Sequence, residues 1–329
     1  MATHSGGPQH PERPARLLAV AAGVRAASGV DVIEAQPEPA ATESLQLIHT
    51  PEYVAALERL CAAGGGDLDA DTACVPASWQ AARLAAGAGL SAVRRLRGRE
   101  AEMAFLTVRP PGHHALSDQA MGFCLFNNVA VTAAELRRGG EKVAILDLDV
   151  HHGNGTQDLF FSDAGVLYVS FHQFPFYPGT GWYQEVGAGE AEGTTLNFPL
   201  PRDTAGDVYR RAMTTTVLPV LETFAPDWML VSVGFDAHHA DPLADLRLNE
   251  SDYGMIAGCL TPYAARKRLI FFLEGGYHLP ALERSAASLV AGAGGVRLEE
   301  PPFQPLSPPA AWSILEAAQK LFSRYWRLG

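Results

Sequence analysis

A single-domain α/β architecture, an open parallel sheet with helices on both faces, follows from three features of the sequence. Apolar runs of strand length recur along the chain, helical patterns alternate with them, and the unusual polar residues stand directly behind the runs. In order, the runs are AEMAFLTV at 101–108, KVAILDLDV at 142–150, GVLYVSF at 165–171, WMLVSVGF at 228–235 and RLIFFLEGG at 268–276. Each reads as a strand buried on both faces, and strand then helix, repeated, gives parallel pairing. One helix is expected from Ser78 through SWQAARLAAGAGLSAVRRLRG, and its closing Arg94, Arg95, Arg97 and Arg99 read as a solvated basic face. Another runs from Phe126 through FNNVAVTAAELRRG and stops at Gly139-Gly140, where glycine suits a left-handed cap. The GGG at 64–66 and the Pro-rich PPFQPLSPP at 301–309 are breaks. A C-terminal helix follows in SILEAAQKLFSRYWRL, with Leu315, Leu321, Phe322, Tyr325 and Trp326 as an apolar stripe. Packing of that stripe on the main body is the preferred reading and a second subunit the alternative. Residues 1–329 form one domain on this reading.

Composition narrows the class. The 329 residues are 47% hydrophobic and 19% charged, which suits a globular enzyme and excludes disorder over most of the length. Lys and Arg number 25 against 36 Asp and Glu, a formal charge of −11, which opposes a nucleic-acid grip built on counterion release. No stretch of about 18 apolar residues occurs, and the N-terminal segment lacks a signal-type apolar run. Membrane insertion is not expected. Four cysteines lie far apart without a C-x-x-C pair, pointing to a reducing, cytoplasmic compartment.

The chemistry collects behind the strands, where open parallel sheets bind ligands. The first run leads into RPPGHHA with His113 and His114, the second carries Asp147, Asp149 and His151, the fourth ends in Asp236, and the fifth enters Gly275, Gly276 and Tyr277. On a strand, the i, i+2, i+4 spacing of Asp147, Asp149 and His151 projects all three to one side. Carboxylates buried side by side require a cation or donors in compensation. Asp149, His151 and Asp236 therefore form a candidate three-ligand metal site with an open fourth position, as catalytic zinc uses. A single buried His or Asp is more often a hydrogen-bonded structural residue. The set shifts the balance, because neighbouring pairs at 113–114, 151–152 and 238–239 hold six of the chain's 11 histidines. Asp147 is the expected partner that fixes the His113 tautomer, and Asn154 the uncharged partner of His114. Tyr277 is either an oxyanion donor or a core tyrosine after a glycine turn. Phe123 and Tyr177 either wall a narrow slot or pack.

The motifs RPPGHHA, MGFCLFNN, AILDLDVHHGNGTQ, SFHQFPFYPGTG, VSVGFDAHHADPLADLRL and LEGGYHL, in that order, resemble the arginase/deacetylase superfamily. The likeness is to zinc-dependent histone deacetylase-like amidohydrolases of the class II type. It runs from HPERPARL at 10–17 through IHTPEYV at 48–54 to Tyr277. The resemblance implies an arginase/deacetylase fold, one zinc ion on Asp149, His151 and Asp236, and catalytic roles for His113, His114 and Tyr277 with Asp147 and Asn154 behind them. It implies an acyl-lysine tunnel at Gly122, Phe123 and Tyr177, and a structural potassium ion near Asp147, Asp149, His151, Ser170 and Phe171. Relatives usually carry a leading strand before HPERP, which this chain lacks room for, so a different sheet edge is expected. Polyamine-selective relatives place Glu where this chain has Leu243 after Asp241-Pro242, which favours protein acyl-lysine over acetylpolyamine.

The reaction so implied is hydrolysis of an N-acyl amide on a primary amine, with a metal-activated water, a histidine pair and the Tyr277 hydroxyl. Spacing does not say which of His113 and His114 is base or acid. Alternatives are an acetylpolyamine amidohydrolase, a catalytically weak acyl-lysine binding protein, and an arginase-like binuclear manganese hydrolase. Acyl length and oligomeric state stay open at this point.

Overall fold

The computed structural model describes residues 1, 3–7, 9–297 and 306–328. Most of the expected Pro-rich turn therefore lies outside the described residues. Strands β1 (Gly66–Asp67) and β2 (Ala73–Cys74) form a small antiparallel hairpin. The main sheet comprises β3 (Met103–Leu106), β4 (Val143–Asp147), β5 (Val166–Gln173), β6 (Thr195–Leu200), β7 (Trp228–Val233) and β8 (Leu269–Leu273). Its order is β3-β8-β7-β4-β5-β6, and every pairing is parallel. The chain enters at the β3 edge, runs out from β4 to β6, then returns to place β7 on the other side of β4. The crevice between β4 and β7 is thus the switch point where such sheets open for ligands.

Alternating residues of the central strands feed two cores. Ala144 and Leu146 face one layer with Val169, Phe171 and Phe198, while Val143 and Ile145 face the other with Tyr168, Trp228 and Phe272. Helices α1 (Ala15–Ala26), α2 (Thr42–Leu45), α3 (Pro51–Ala62), α4 (Pro76–Arg97), α5 (Asn128–Arg138) and α6 (Asn154–Phe160) precede or interleave with the first strands. Helices α7 (Gly206–Ala212), α8 (Leu218–Phe224), α9 (Glu250–Gly258), α10 (Thr261–Ala265), α11 (Leu279–Ala293) and α12 (Pro309–Phe322) follow β6. A short π-helical segment, Met213–Val217, joins α7 to α8. Residues of α4 and α5 supply one face of the sheet, and those of α7 to α9, α11 and α12 supply the other.

Both expected helices form, and each start has a physical cause. Proline occupies the first turn of α4, where its missing N–H costs nothing, and Ser78 Oγ accepts the Val75 amide at 2.9 Å. The Asn127 side chain caps α5 by accepting the Ala130 amide at 3.1 Å, and Gly140 beyond its end has φ +82°. The arginine run is solvated, with Arg94, Arg95 and Arg97 on exposed or half-exposed partners Glu38, Glu100 and Glu141.

Three expectations are corrected. The sheet has a sixth strand, β6, which the apolar-run reading passed over, since TLNFPL carries Asn197 and Pro199. Strand β4 ends at Asp147, so Asp149 and His151 sit in the following loop instead of on a strand. The C-terminal helix starts at Pro309 and ends at Phe322, and its buried stripe is Ala311, Leu315, Ala318 and Phe322. Tyr325 and Trp326 lie past its end, where Trp326 Nε1 donates to Gly193 O at 2.6 Å. The helix packs on the body of its own chain, with Phe322 edge-on to Phe198 of β6 at 5.6 Å. Among the described residues no strand precedes β1, and β3 forms the sheet edge.

Candidate metal centre and paired histidines

Asp149, His151 and Asp236 meet at the β4–β7 crevice, with one ligand atom from each within 4.8 Å of the others. His151 Nδ1 lies 3.0 Å from Asp149 Oδ1 and 3.4 Å from Asp236 Oδ2. With the strand already ended, backbone amides aim these groups. The Asp149 N–H donates to Asp147 Oδ1 at 3.2 Å and the His151 N–H to Asp149 Oδ1 at 2.9 Å. The Gly275 amide reaches Asp149 Oδ2 at 2.8 Å, and the Val150 amide reaches Asp236 Oδ1 at 3.0 Å. A Cβ on Gly275 would fall on the Asp236 carboxylate, so only glycine lets that strand end approach so closely.

The donor set fits a divalent ion. Asp149 and Asp236 are buried, and Asp236 Oδ2 makes no hydrogen bond although solvent cannot reach it, the His151 imidazole standing 3.4 Å away. Such an acceptor is costly unless something positive faces it. Burial pushes the Asp236 carboxyl up, and the charge of Asp149 adds to the rise. Burial opposes charge on His151, yet Asp149 and Asp236 push its imidazole up to about 9. The cluster thus draws positive charge to itself, and two carboxylate oxygens with one imidazole nitrogen are hard-to-borderline donors of the kind zinc takes.

Beside this cluster His113 and His114 stand ring to ring, with centroids 4.0 Å apart. Both are buried. His113 Nδ1 donates to Asp147 Oδ2 at 3.1 Å, and His114 Nδ1 donates to Asn154 Oδ1 at 2.8 Å. Identical side chains acquire opposite character from these partners. Burial lowers His113, but Asp147 and Asp149 override it and push the ring up to about 10. Burial holds His114 well below its ordinary value, and the neighbouring His113 and His151 lower it further, against which the Asp149 charge and the uncharged Asn154 amide do not prevail.

The loops form the surroundings. Gly122, at φ +55°, leaves no room for a side chain against the His114 ring, and Phe123 follows at φ +68° with its amide on Thr72 Oγ1 at 2.9 Å. The Tyr277 ring is edge-on to Phe123 at 6.2 Å, beneath the Arg16 guanidinium at 5.1 Å. Its amide donates to Asp241 Oδ2 at 2.7 Å. Burial raises the Tyr277 phenol well above 10, so it keeps its proton at neutral pH. Tyr177 stands edge-on to His114 at 5.2 Å. Leu243 is exposed, its amide on Asp241 Oδ1 at 3.0 Å. Ser170 pairs with Asp147 across β5 and β4, whereas the Phe171 ring points into the core against Phe198.

Of the other two neighbouring histidine pairs, His151 alone enters the Asp149, His151 and Asp236 cluster. His152 braces the Tyr177 loop through Thr180 Oγ1 at 2.8 Å and Gln157 Oε1 at 3.0 Å. His238 and His239 stack on each other, and His238 Nδ1 accepts the Ala240 amide. Other neighbours of the site were not anticipated. Phe176 stacks on His151 at 5.3 Å, Tyr168 OH donates to Asp147 Oδ2 at 3.2 Å, and Arg16 donates to the carbonyls of Glu274 and Gly276. Glu274 is buried and pushed up to about 7 by that burial. A lone acid ending the apolar run RLIFFLEGG was the available signal for Glu274.

Likenesses to known proteins show the family. Residues 10–293 match the model of the histone deacetylase domain. The chain is 35% identical to a probable deacetylase of Archaeoglobus fulgidus, over 98% of this chain and 96% of that one. It is 40% identical to a histone deacetylase-like amidohydrolase of Pseudomonas aeruginosa, covering 79% of this chain and 70% of the relative. The crystal structure of the HDA15 HD domain superposes with a TM-score of 0.90 at 33% identity, covering 99% of this chain and 92% of that one. A parallel sheet carrying an Asp-His-Asp cluster, together with these likenesses, places the chain in the histone deacetylase family of deacetylases and amidohydrolases.

Proposed function

We propose that this protein is a zinc-dependent amidohydrolase that removes acetyl or longer acyl groups from lysine side chains or similar primary amines. One observation carries the reading: the orphaned Asp236 carboxylate oxygen, within the Asp149, His151 and Asp236 trio, lies beside two histidines of opposite character. An ion held by that trio supplies a Lewis acid for the acyl carbonyl and acidifies a water. His114 is the imidazole left neutral, so it is the group able to take a proton from the attacking water and return it to the departing amine. His113, paired with Asp147, serves as a fixed cation next to the developing negative charge. The protonated Tyr277 hydroxyl donates to the oxyanion. Phe123 and Tyr177 wall the slot for the acyl-lysine stem, with Gly122 giving His114 its clearance. Potassium near Asp147, Asp149, His151, Ser170 and Phe171 is part of the proposal, as is a cytoplasmic setting.

Leu243, an exposed apolar residue in place of an acid, favours acyl-lysine in proteins over acetylpolyamine. The test is turnover of acetyl-lysine peptides, longer acyl-lysines and acetylated polyamines by zinc-loaded protein. The expected result is peptide hydrolysis, stopped by chelator and reduced on the order of 10²-fold or more by Tyr277→Phe. Binding without turnover makes the protein a reader, and two manganese ions per chain would favour arginase-like chemistry.

A further inference from the structure

We propose that Glu274 is a positioning residue for the histidine pair: its buried carboxylate pins the backbone of Gly112 and His113. This rests on the amide hydrolysis proposed above. Glu274 directly follows β8 without any exposed surface, and its Oε2 accepts the Gly112 amide at 2.6 Å and the His113 amide at 3.2 Å. Its Oε1 accepts the Ser232 hydroxyl at 3.1 Å, from β7 next door. Among the described residues, those two loop amides donate to no other group.

The reach and the acceptor follow from this arrangement. Two successive amides converging on one point require a side-chain oxygen with two free lone pairs at that distance, which Glu274 Oε2 provides. Glu274 itself is immobile. Its amide donates to Val233 O at 3.0 Å, and its carbonyl accepts from Arg16. Asn128 Nδ2 on Pro110 O at 3.1 Å and Asn127 Nδ2 on Ala115 O at 3.2 Å brace the loop's carbonyls, while Glu274 takes the Gly112 and His113 amides. His113 O accepts the Thr156 amide at 3.1 Å, and Ala115 N–H closes a turn on Gly112 O at 3.1 Å. Meanwhile the next amide, that of Gly275, holds Asp149 Oδ2 at 2.8 Å. Consecutive residues at one strand end therefore fix both the histidine loop and a carboxylate of the metal centre, setting the distance between them. Glu274 touches neither the substrate slot nor the trio, so it acts only through the groups it holds.

Three variants separate reach from charge. Glu274→Asp keeps the charge but withdraws it by one methylene, Glu274→Gln keeps an acceptor oxygen at the same reach, and Glu274→Leu removes acceptor and charge. Amide hydrogen exchange of residues 109–116 is measured with zinc content and with kcat and KM on an acetyl-lysine peptide. Expected are loss of protection at Gly112 and His113 in the Asp and Leu variants, with one zinc still bound. In those variants kcat falls on the order of 10²-fold, since misplacement by about 1 Å has that cost, and KM stays within about threefold. Glu274→Gln retains protection and loses about tenfold in kcat or less. Protection and rate unchanged in Glu274→Asp would overturn the proposal. So would a collapse of rate in Glu274→Gln with protection intact, which would mark charge as the active quantity. If the wild type hydrolyses none of the substrates, the functional reading fails, while the exchange data still decide whether Glu274 holds the loop.

Discussion

His49 lies away from the metal centre and shows how one buried imidazole ties stability to pH. Its Nδ1–H donates to Leu116 O at 2.9 Å and its Nε2 accepts the Asn127 amide at 3.0 Å, so the neutral ring is fully engaged. Burial lowers it from 6.5 to about 4. Its stabilising effect is present in full above pH 6.5, where neither state carries the proton. It is lost as pH falls through the folded value, because the unfolded chain protonates first, a difference of about 3 kcal/mol by pH 4. The buried carboxyls of Asp147, Asp236 and Glu274 are raised and act with the opposite sign, so the comparison has to be with a variant. The gap in melting temperature between wild type and His49→Gln is expected to close as pH drops from 6.5 to 4. A gap constant with pH rules this account out. At this scale the clustering of Asp149, His151 and Asp236 and the partners of His113 and His114 were legible, because costly groups behind apolar strands advertise themselves. Glu274 and Tyr168 were not, because their importance lies in partners 162 and 21 residues away along the chain.

Among the elements, β6 marks where patterning fails. It is an edge strand paired only with β5, so Pro199 can sit in it without removing a ladder bond the sheet needs. Its apolar character is interrupted, and its burial comes from α12, an element far ahead in the sequence. The end of β4 was overrun for a related reason: DLDV continues the alternation after the ladder has stopped, and side-chain acceptors on Asp147 and Asp149 take over from strand geometry. In α12 the apolar stripe was found but its last members misplaced, since the helix ends at Phe322. Phe322→Ala should destabilise the protein by about 3 kcal/mol, as emptied aromatic sites do. Urea unfolding would report it as a lower midpoint at unchanged slope, and an unaltered midpoint would mean that α12 does not cover the sheet.

For the whole molecule, the Asp149, His151 and Asp236 cluster bears on stability as well as on the proposed reaction. Two buried carboxylates and an imidazole held near one another resist folding until a cation joins them, and an ion that binds only the folded state stabilises by mass action. At a thousandfold excess over Kd that amounts to about 4 kcal/mol. Chelation is therefore expected to lower the melting temperature by several degrees in scanning calorimetry, and re-addition of zinc to restore it. A melting temperature indifferent to both would count against the trio as an ion site. The fold order was readable at this scale because parallel sheets gather their strand ends at one rim. At that rim the grip and the slot are built from separate stretches of backbone. Asp149, His151 and Asp236 stand within a few residues of the ends of the central strands β4 and β7, whereas Phe123 and Tyr177 lie on the loops that follow β3 and β5. On the function proposed above, mutational drift can therefore widen, narrow or recharge the entrance while the ion keeps its seat, leaving a lineage built on this scaffold free to change its diet without relearning its chemistry.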